Sequence, residues 1–182
     1  HCLRGYRLVR SISLFSGLAR NVLEHHDYYS PNLRPIPAVL HVADRVDIIL
    51  KKDTYYLWQV EDILAYFTHR QGDVFSPEVV EALRRVAQTP SFWLDLQHRN
   101  YQYAAGRSSF RRKLTIDELE ELGELVATIV DAKSPWTGDH SKGVADVAEF
   151  LARKLDMPET KVRTIKVAGL LHDLGKLAVP DE

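Results

Sequence analysis

The chain has 182 residues, 45% of them hydrophobic and 27% charged, the balance of a soluble globular protein with enough length for one domain or two small ones. Its 24 Lys+Arg against 25 Asp+Glu supply no bulk positive field for a nucleic acid polymer or an anionic membrane, and no uncharged apolar stretch reaches membrane-spanning length. The single cysteine, Cys2, excludes an internal disulfide and fits a reducing compartment. The N-terminus lacks the positive-then-apolar pattern of a secretory signal, so a cytoplasmic location is expected. Because it opens on His1 rather than Met, the chain is read as a piece of something longer.

The pattern is helical nearly throughout. Leu3, Tyr6, Leu8, Val9, Ile12 and Leu14 recur at helical spacing, and Leu18 to His26 carries Leu18, Val22, Leu23 and His26 on one face. Tyr28 to Pro37, with three prolines, predicts a loop. Ala38 to Leu50 predicts an apolar helix with Asp44 and Asp47 inside it. Helices are expected near Tyr55 to His69 and Ser76 to Gln88, the latter with Ser76 as N-cap and Pro77 at the first helical position. Thr89 to Lys113 changes character: Pro90, Gly106 and a basic run around Arg111, Arg112 and Lys113 predict an irregular connector. Thr115-Ile116-Asp117-Glu118 is a capping box that opens a helix to about Asp131. Ser134-Pro135 breaks the chain before a helix from about Thr137 to Leu155, and Pro158 opens the last, to about Leu174. No stretch alternates as a strand would, so the fold class is all-α.

The strongest chemical signal is Leu170-Leu171-His172-Asp173-Leu174-Gly175-Lys176. Neighbouring helical residues point about 100° apart, so His172 and Asp173 converge on one ion only near a helix end or over a cleft. A carboxylate can bridge two cations while the imidazole binds one, and Lys176 can reach a phosphate. The competing reading is a helix stop, with Gly175 ending the helix and Lys176 favouring its dipole. His140, early in the preceding helix, is a second imidazole able to face His172. His25 and His26 stand together at a helix end beside Glu24 and Asp27, as ligands or as surface polarity. Asp44, inside an apolar helix, needs a partner: a metal, or a cation among Arg45, Lys51 and Lys52. His1 is a ligand or a frayed terminus. His41, His69 and His98 have no neighbouring ligand types and are read as structural or solvated.

His140, the pair His172-Asp173 and Asp44 resemble the ligands of the HD superfamily of metal-dependent phosphohydrolases. More narrowly, Ser134-Pro135-Trp136-Thr137-Gly138-Asp139-His140-Ser141 followed by Ala168-Gly169-Leu170-Leu171-His172-Asp173-Leu174-Gly175-Lys176 is similar to the first half of an HD-GYP domain, the domain of cyclic-di-GMP phosphodiesterases and their relatives. His1 to Leu50 resembles the second half, with His1 on the third-histidine helix, His25-His26 as the double histidine and Asp44 as the closing Asp. Residues 55 to 113 resemble the joining region of tandem HD proteins. After the double histidine stands Asp27-Tyr28-Tyr29-Ser30-Pro31-Asn32, without the Gly-Tyr-Pro turn of the family. A Trp, not an acid, stands four residues before His140, which leaves no acidic ligand for a third metal.

The resemblance implies an HD-domain-like helical bundle. It divides the chain into residues 1–88 as the C-terminal half of a degenerate HD-GYP-like domain, 89–113 as connector and 114–182 as the N-terminal half of a second. It implies divalent metal ions (Fe, Mn, Ni or Zn), with His140, His172, Asp173 and Asp44 holding one and Asp173, His1, His25 and His26 holding another. Asp173 would bridge, and Lys176 would steady a phosphate. The implied activity is phosphodiester hydrolysis on a cyclic dinucleotide, cyclic-di-GMP favoured, in bacterial signalling. The alternatives are a degenerate, non-catalytic regulatory module and an HD hydrolase of nucleotides. Because the family order is inverted, the two halves are expected to pack as one composite bundle, within one chain or by domain exchange in a homodimer.

Overall fold

The protein is described from a computed structural model, over residues 1–98, 112–133 and 139–179. The elements are α1 (Cys2–Arg10), α2 (Ala19–Glu24), α3 (Pro35–Ile49), α4 (Val60–Thr68), α5 (Pro77–Ala87), α6 (Pro90–His98), α7 (Ile116–Lys133), α8 (His140–Lys154) and α9 (Glu159–Leu171). Short 3-10 turns occupy Ser16–Leu18, Tyr56–Gln59 and Leu174–Ala178. The fold is all-α, and among the described residues no strand forms beyond one isolated bridge between Gln71 and Phe75. None of the described helices is long and apolar enough to cross a membrane.

Two compact units divide the chain: His1–Tyr6 with Leu18–Arg111, and Arg7–Gly17 with Arg112–Glu182. In the first, Val42, Val46 and Leu50 follow one another at four-residue spacing along α3, one side of the helix. They join Ile63, Phe67, Phe75, Val80, Leu83, Ala87 and Trp93 in a single buried core. The helix α3 starts at Pro35, inside the stretch expected to be a loop. Arg34 is extended, and prolines at the first helical positions lack only an N–H that has no intrahelical partner there. Ser76 caps α5, accepting from the Val79 N–H at 3.5 Å.

The expected connector is corrected at its start, because Pro90–His98 is a helix. Phe92, Trp93 and Leu96 repeat at helical spacing and bury against the first core. Trp93 is 0% exposed, and its indole N–H donates to the Ala87 carbonyl at 2.9 Å. Of the rest of that connector, residues 99–111 lie outside the described residues, as do the expected helix start at Thr137 and the terminal 180–182.

In the second unit, α7 opens as its capping box predicts: the Glu118 N–H donates to Thr115 Oγ1 at 3.2 Å, and the Thr115 N–H to Glu118 Oε2 at 2.9 Å. Small residues set the helix spacing. Ala127, Ala145 and Leu170 form the buried cluster, and a Cβ on Gly169 would lie 2.7 Å from the Ala145 Cα. The segment Arg7–Gly17 joins this unit, with Ser13 donating from its N–H and hydroxyl to Glu121 Oε2 at 2.7 and 2.6 Å.

Candidate metal centre

The second unit gathers His140, His172 and Asp173. Their ligand atoms lie within 4.8 Å of one another. The last helix stops at Leu171, three residues before its expected end. His172 and Asp173 therefore sit in a turn, and their side chains meet on one side of the chain: His172 Nε2 is 3.2 Å from Asp173 Oδ2. The His172 ring donates Nδ1–H to the Gly169 carbonyl at 2.8 Å, which leaves Nε2 with its lone pair toward the cluster. His140, the first residue of α8, brings Nε2 to 3.8 Å from the same Asp173 oxygen. The two rings are edge to face, 5.3 Å apart.

What orients His140 is a residue that the motifs do not mark. Asp131, on α7, is 4% exposed and Ser141 is 0% exposed. The Ser141 N–H donates to Asp131 Oδ2 at 3.1 Å and its hydroxyl to Oδ1 at 2.7 Å. Asp139 makes no side-chain cap bond, so the neighbouring helix provides the cap and fixes the first turn that carries His140. The only sequence signal for it is an Asp on the apolar side of α7, one position after Val130.

Lys176 places Nζ 2.7 Å from Asp173 Oδ2. This hydrogen bond first, and then the neighbouring His172, the Lys176 charge and His140, hold the Asp173 carboxyl below the usual carboxylate range. Lys176 thus pairs with the carboxylate in this structure. A carboxylate and two imidazoles suit a divalent first-row ion and leave coordination positions open, so the donor set fits the implied metal. An apolar groove lined by Val144, Val147, Ala148 and Leu151 runs beside His140.

In the first unit, His1, His25 and His26 come together, and Cys2 joins them, with all four ligand atoms within 4.8 Å. Burial and the neighbouring His25 push the His26 imidazole below the usual histidine range. His41 is 5% exposed, against Phe75 at 4.9 Å and His26 at 5.6 Å. Its imidazole is lowered by burial first and His26 next. Reading His41 as structural fits that packing, although it borders the histidine cluster. Asp44 lies on α3 in this unit, outside the four-donor group, 3.4 Å from Arg45 Nη2. One of its oxygens is buried without a hydrogen-bond partner.

Residues 137–182 match the HD domain family. The chain is 27% identical over its whole length to the 3'3'-cGAMP-specific phosphodiesterase 1 of Vibrio cholerae serotype O1, of which it covers 46%. It is 27% identical over 98% of its length to phosphodiesterase 3 of the same specificity and organism, covering 40% of that protein. A cyclic di-GMP phosphodiesterase of Pseudomonas aeruginosa is 50% identical over 46 residues, 25% of this chain and 11% of that protein. The crystal structure of the V. cholerae cyclic GMP-AMP specific phosphodiesterase V-cGAP3 shares the fold, with a TM-score of 0.66 at 24% identity over 99% of this chain and 45% of that one. The chain spans less than half the length of these full-length-matching relatives. The HD domain match thus covers residues 137–182, about a quarter of the chain, and the likeness to the two V. cholerae phosphodiesterases extends over 98–100% of it.

Proposed function

We propose that the chain carries the divalent-cation site of a phosphodiesterase acting on cyclic dinucleotides. The observation that carries this reading is the meeting of His140, His172 and Asp173 inside the segment that matches the HD domain family. The substrate class follows the names of the relatives, which specify 3'3'-cGAMP and cyclic di-GMP. The 3'3'-cGAMP relatives match nearly the entire chain, so 3'3'-cGAMP is the first substrate to test.

Two imidazoles and one carboxylate would hold the ion, and His and carboxylate donors suit Fe, Mn, Ni or Zn. The ion, when bound, supplies Lewis acidity toward water and a phosphate oxygen. The reaction class is hydrolysis. A bond from the water oxygen to phosphorus forms, an ester bond from phosphorus to ribose oxygen breaks, and that oxygen leaves with a proton. The residues of the chain prepare this. Gly169 keeps the His172 proton on Nδ1. Asp131, through Ser141, holds the turn bearing His140. Lys176 neutralises Asp173 in the unliganded site, and turns its ammonium to a phosphate oxygen once the carboxylate is engaged.

The test is reconstitution of the full chain with Mn2+, followed by metal analysis and a hydrolysis panel of 3'3'-cGAMP, cyclic di-GMP and mononucleotides. His172→Ala and Asp173→Ala should each lower bound metal and abolish turnover at nearly unchanged melting temperature. Unchanged metal stoichiometry in both variants would refute the site. Binding of a cyclic dinucleotide without turnover would favour a regulatory module.

A further inference from the structure

Within the first unit, α3, α5 and α6 enclose a cavity of about 770 Å³. Its floor is the core itself: Val42, Val46, Leu50 and Leu83 line it and are 4 to 8% exposed. Val39 on α3 and Val86 on α5 give it an apolar rim, 51% and 46% exposed. The volume falls in the range of small-molecule sites, about 300–1,000 Å³. Val and Leu dominate the lining, so an occupant gains chiefly by burying aliphatic surface that water otherwise covers at a cost.

Polar groups border the cavity on the loop after α3, where Lys52 and Tyr56 line it. Gln59 ties that loop down. Its side-chain carbonyl accepts from the Lys51 N–H at 2.9 Å, and its amide donates to the Lys51 and Thr54 carbonyls at 3.0 and 2.9 Å. The Lys52 side chain is exposed and makes no ion pair among the described residues. A free ammonium and a phenol O–H on one short, fixed loop are donors suited to a carboxylate. Asp47 on α3 is the only acid among the described lining residues. It disfavours an anionic group on the α3 side, which leaves the carboxylate to the loop.

We propose that the cavity between α3, α5 and α6 binds a fatty acid, its aliphatic chain over Val42, Val46, Leu50 and Leu83 and its carboxylate at Lys52 and Tyr56. Burial of the chain supplies most of the affinity. Lys52, being exposed, adds little affinity and selects the head group. None of these residues takes part in the hydrolysis proposed above.

Calorimetric titration of the full chain with octanoate, decanoate, dodecanoate and decanol tests this, below micelle concentrations and at about pH 8, where carboxylate and ammonium are both charged. Each buried methylene tightens binding up to about fourfold, so the dissociation constant should fall about tenfold for each two carbons added. Decanoate should bind about threefold to fivefold more tightly than decanol, and Lys52→Ala should remove that preference with decanol unchanged. Ala43 is exposed and lines the cavity, so Ala43→Phe should block dodecanoate. Affinity indifferent to chain length, decanol as tight as decanoate, the preference kept in Lys52→Ala, or full affinity in a folded Ala43→Phe would overturn the proposal. Should Ala43→Phe fail to fold, methyl NMR of the unaltered chain decides. Dodecanoate should shift the Val46 and Leu83 methyl resonances, and unmoved resonances would overturn the proposal.

Discussion

Gly169→Ala probes how the spacing of two helices supports the metal centre. Gly169 lies on α9 against α8, where a Cβ would sit 2.7 Å from Ala145 Cα, 3.1 Å from its N and 3.2 Å from its Cβ. Carbon atoms rest at about 3.5–4.0 Å, so the helices must part by about 0.8 Å or more. The nearest atom is backbone and cannot rotate away. Overpacking of this kind costs about 1–3 kcal/mol, while Ala in place of Gly returns up to about 1 kcal/mol of helix propensity. The expected net loss is about 0–2 kcal/mol against the unaltered chain, and about 1–3 kcal/mol against a variant with the propensity gain alone. Gly143→Ala is the reference, since nothing lies within 4 Å of a Cβ there and only the propensity gain applies. Parting α8 from α9 also separates His140 from His172, and shifts the Gly169 carbonyl that holds the His172 proton. Urea denaturation followed by circular dichroism reads the stability, and Mn2+ titration at equal folded fraction reads the site. Metal affinity in Gly169→Ala should fall about tenfold or more, by analogy with outer-shell changes. A variant as stable as Gly143→Ala with unaltered Mn2+ affinity would refute the reasoning.

Asp131→Ala should weaken Mn2+ binding about 10–100-fold, and Ser141→Ala, which keeps the backbone bond, should cost less. Equal Mn2+ affinity in all three proteins would show that the cap does not orient His140. Trp93→Ala should destabilise the first unit by about 3–5 kcal/mol, read by near-ultraviolet circular dichroism in urea. A loss under about 1 kcal/mol would mean that α6 is not part of the core. Arg153 and Lys166 hold the Glu149 carboxyl below its ordinary value of 4.5. A depressed carboxylate stabilises the fold above that ordinary value, and its contribution is lost as pH falls through the lowered one. The urea midpoint of the unaltered protein should therefore drop more steeply below pH 4.5 than that of Glu149→Gln. Parallel pH profiles would contradict this.

Much of the fold was legible because its signals are local. Helical periodicity repeats within four residues, and the Ser76 cap and the Thr115–Glu118 box act across three. The α3 helix starts earlier than the proline count suggested, since proline is compatible with a first turn. A composition of Pro, Gly and basic residues disguised α6, whose helix depends on Trp93 finding the first core. His172 and Asp173 stand out as chain neighbours, and His140 as a lone imidazole at a helix start. Their separation in space was decided by α8 and α9 closing over Gly169 and Ala145. Asp131 reaches Ser141 across ten residues and two helices, Lys176 settles on Asp173, and Cys2 meets His25 and His26 because Gly5 lets α1 approach Val22. A one-dimensional pattern records which side chains a turn of helix brings together. Contacts between helices depend on the distance of approach, which the small residues at the crossing set only once the helices have packed.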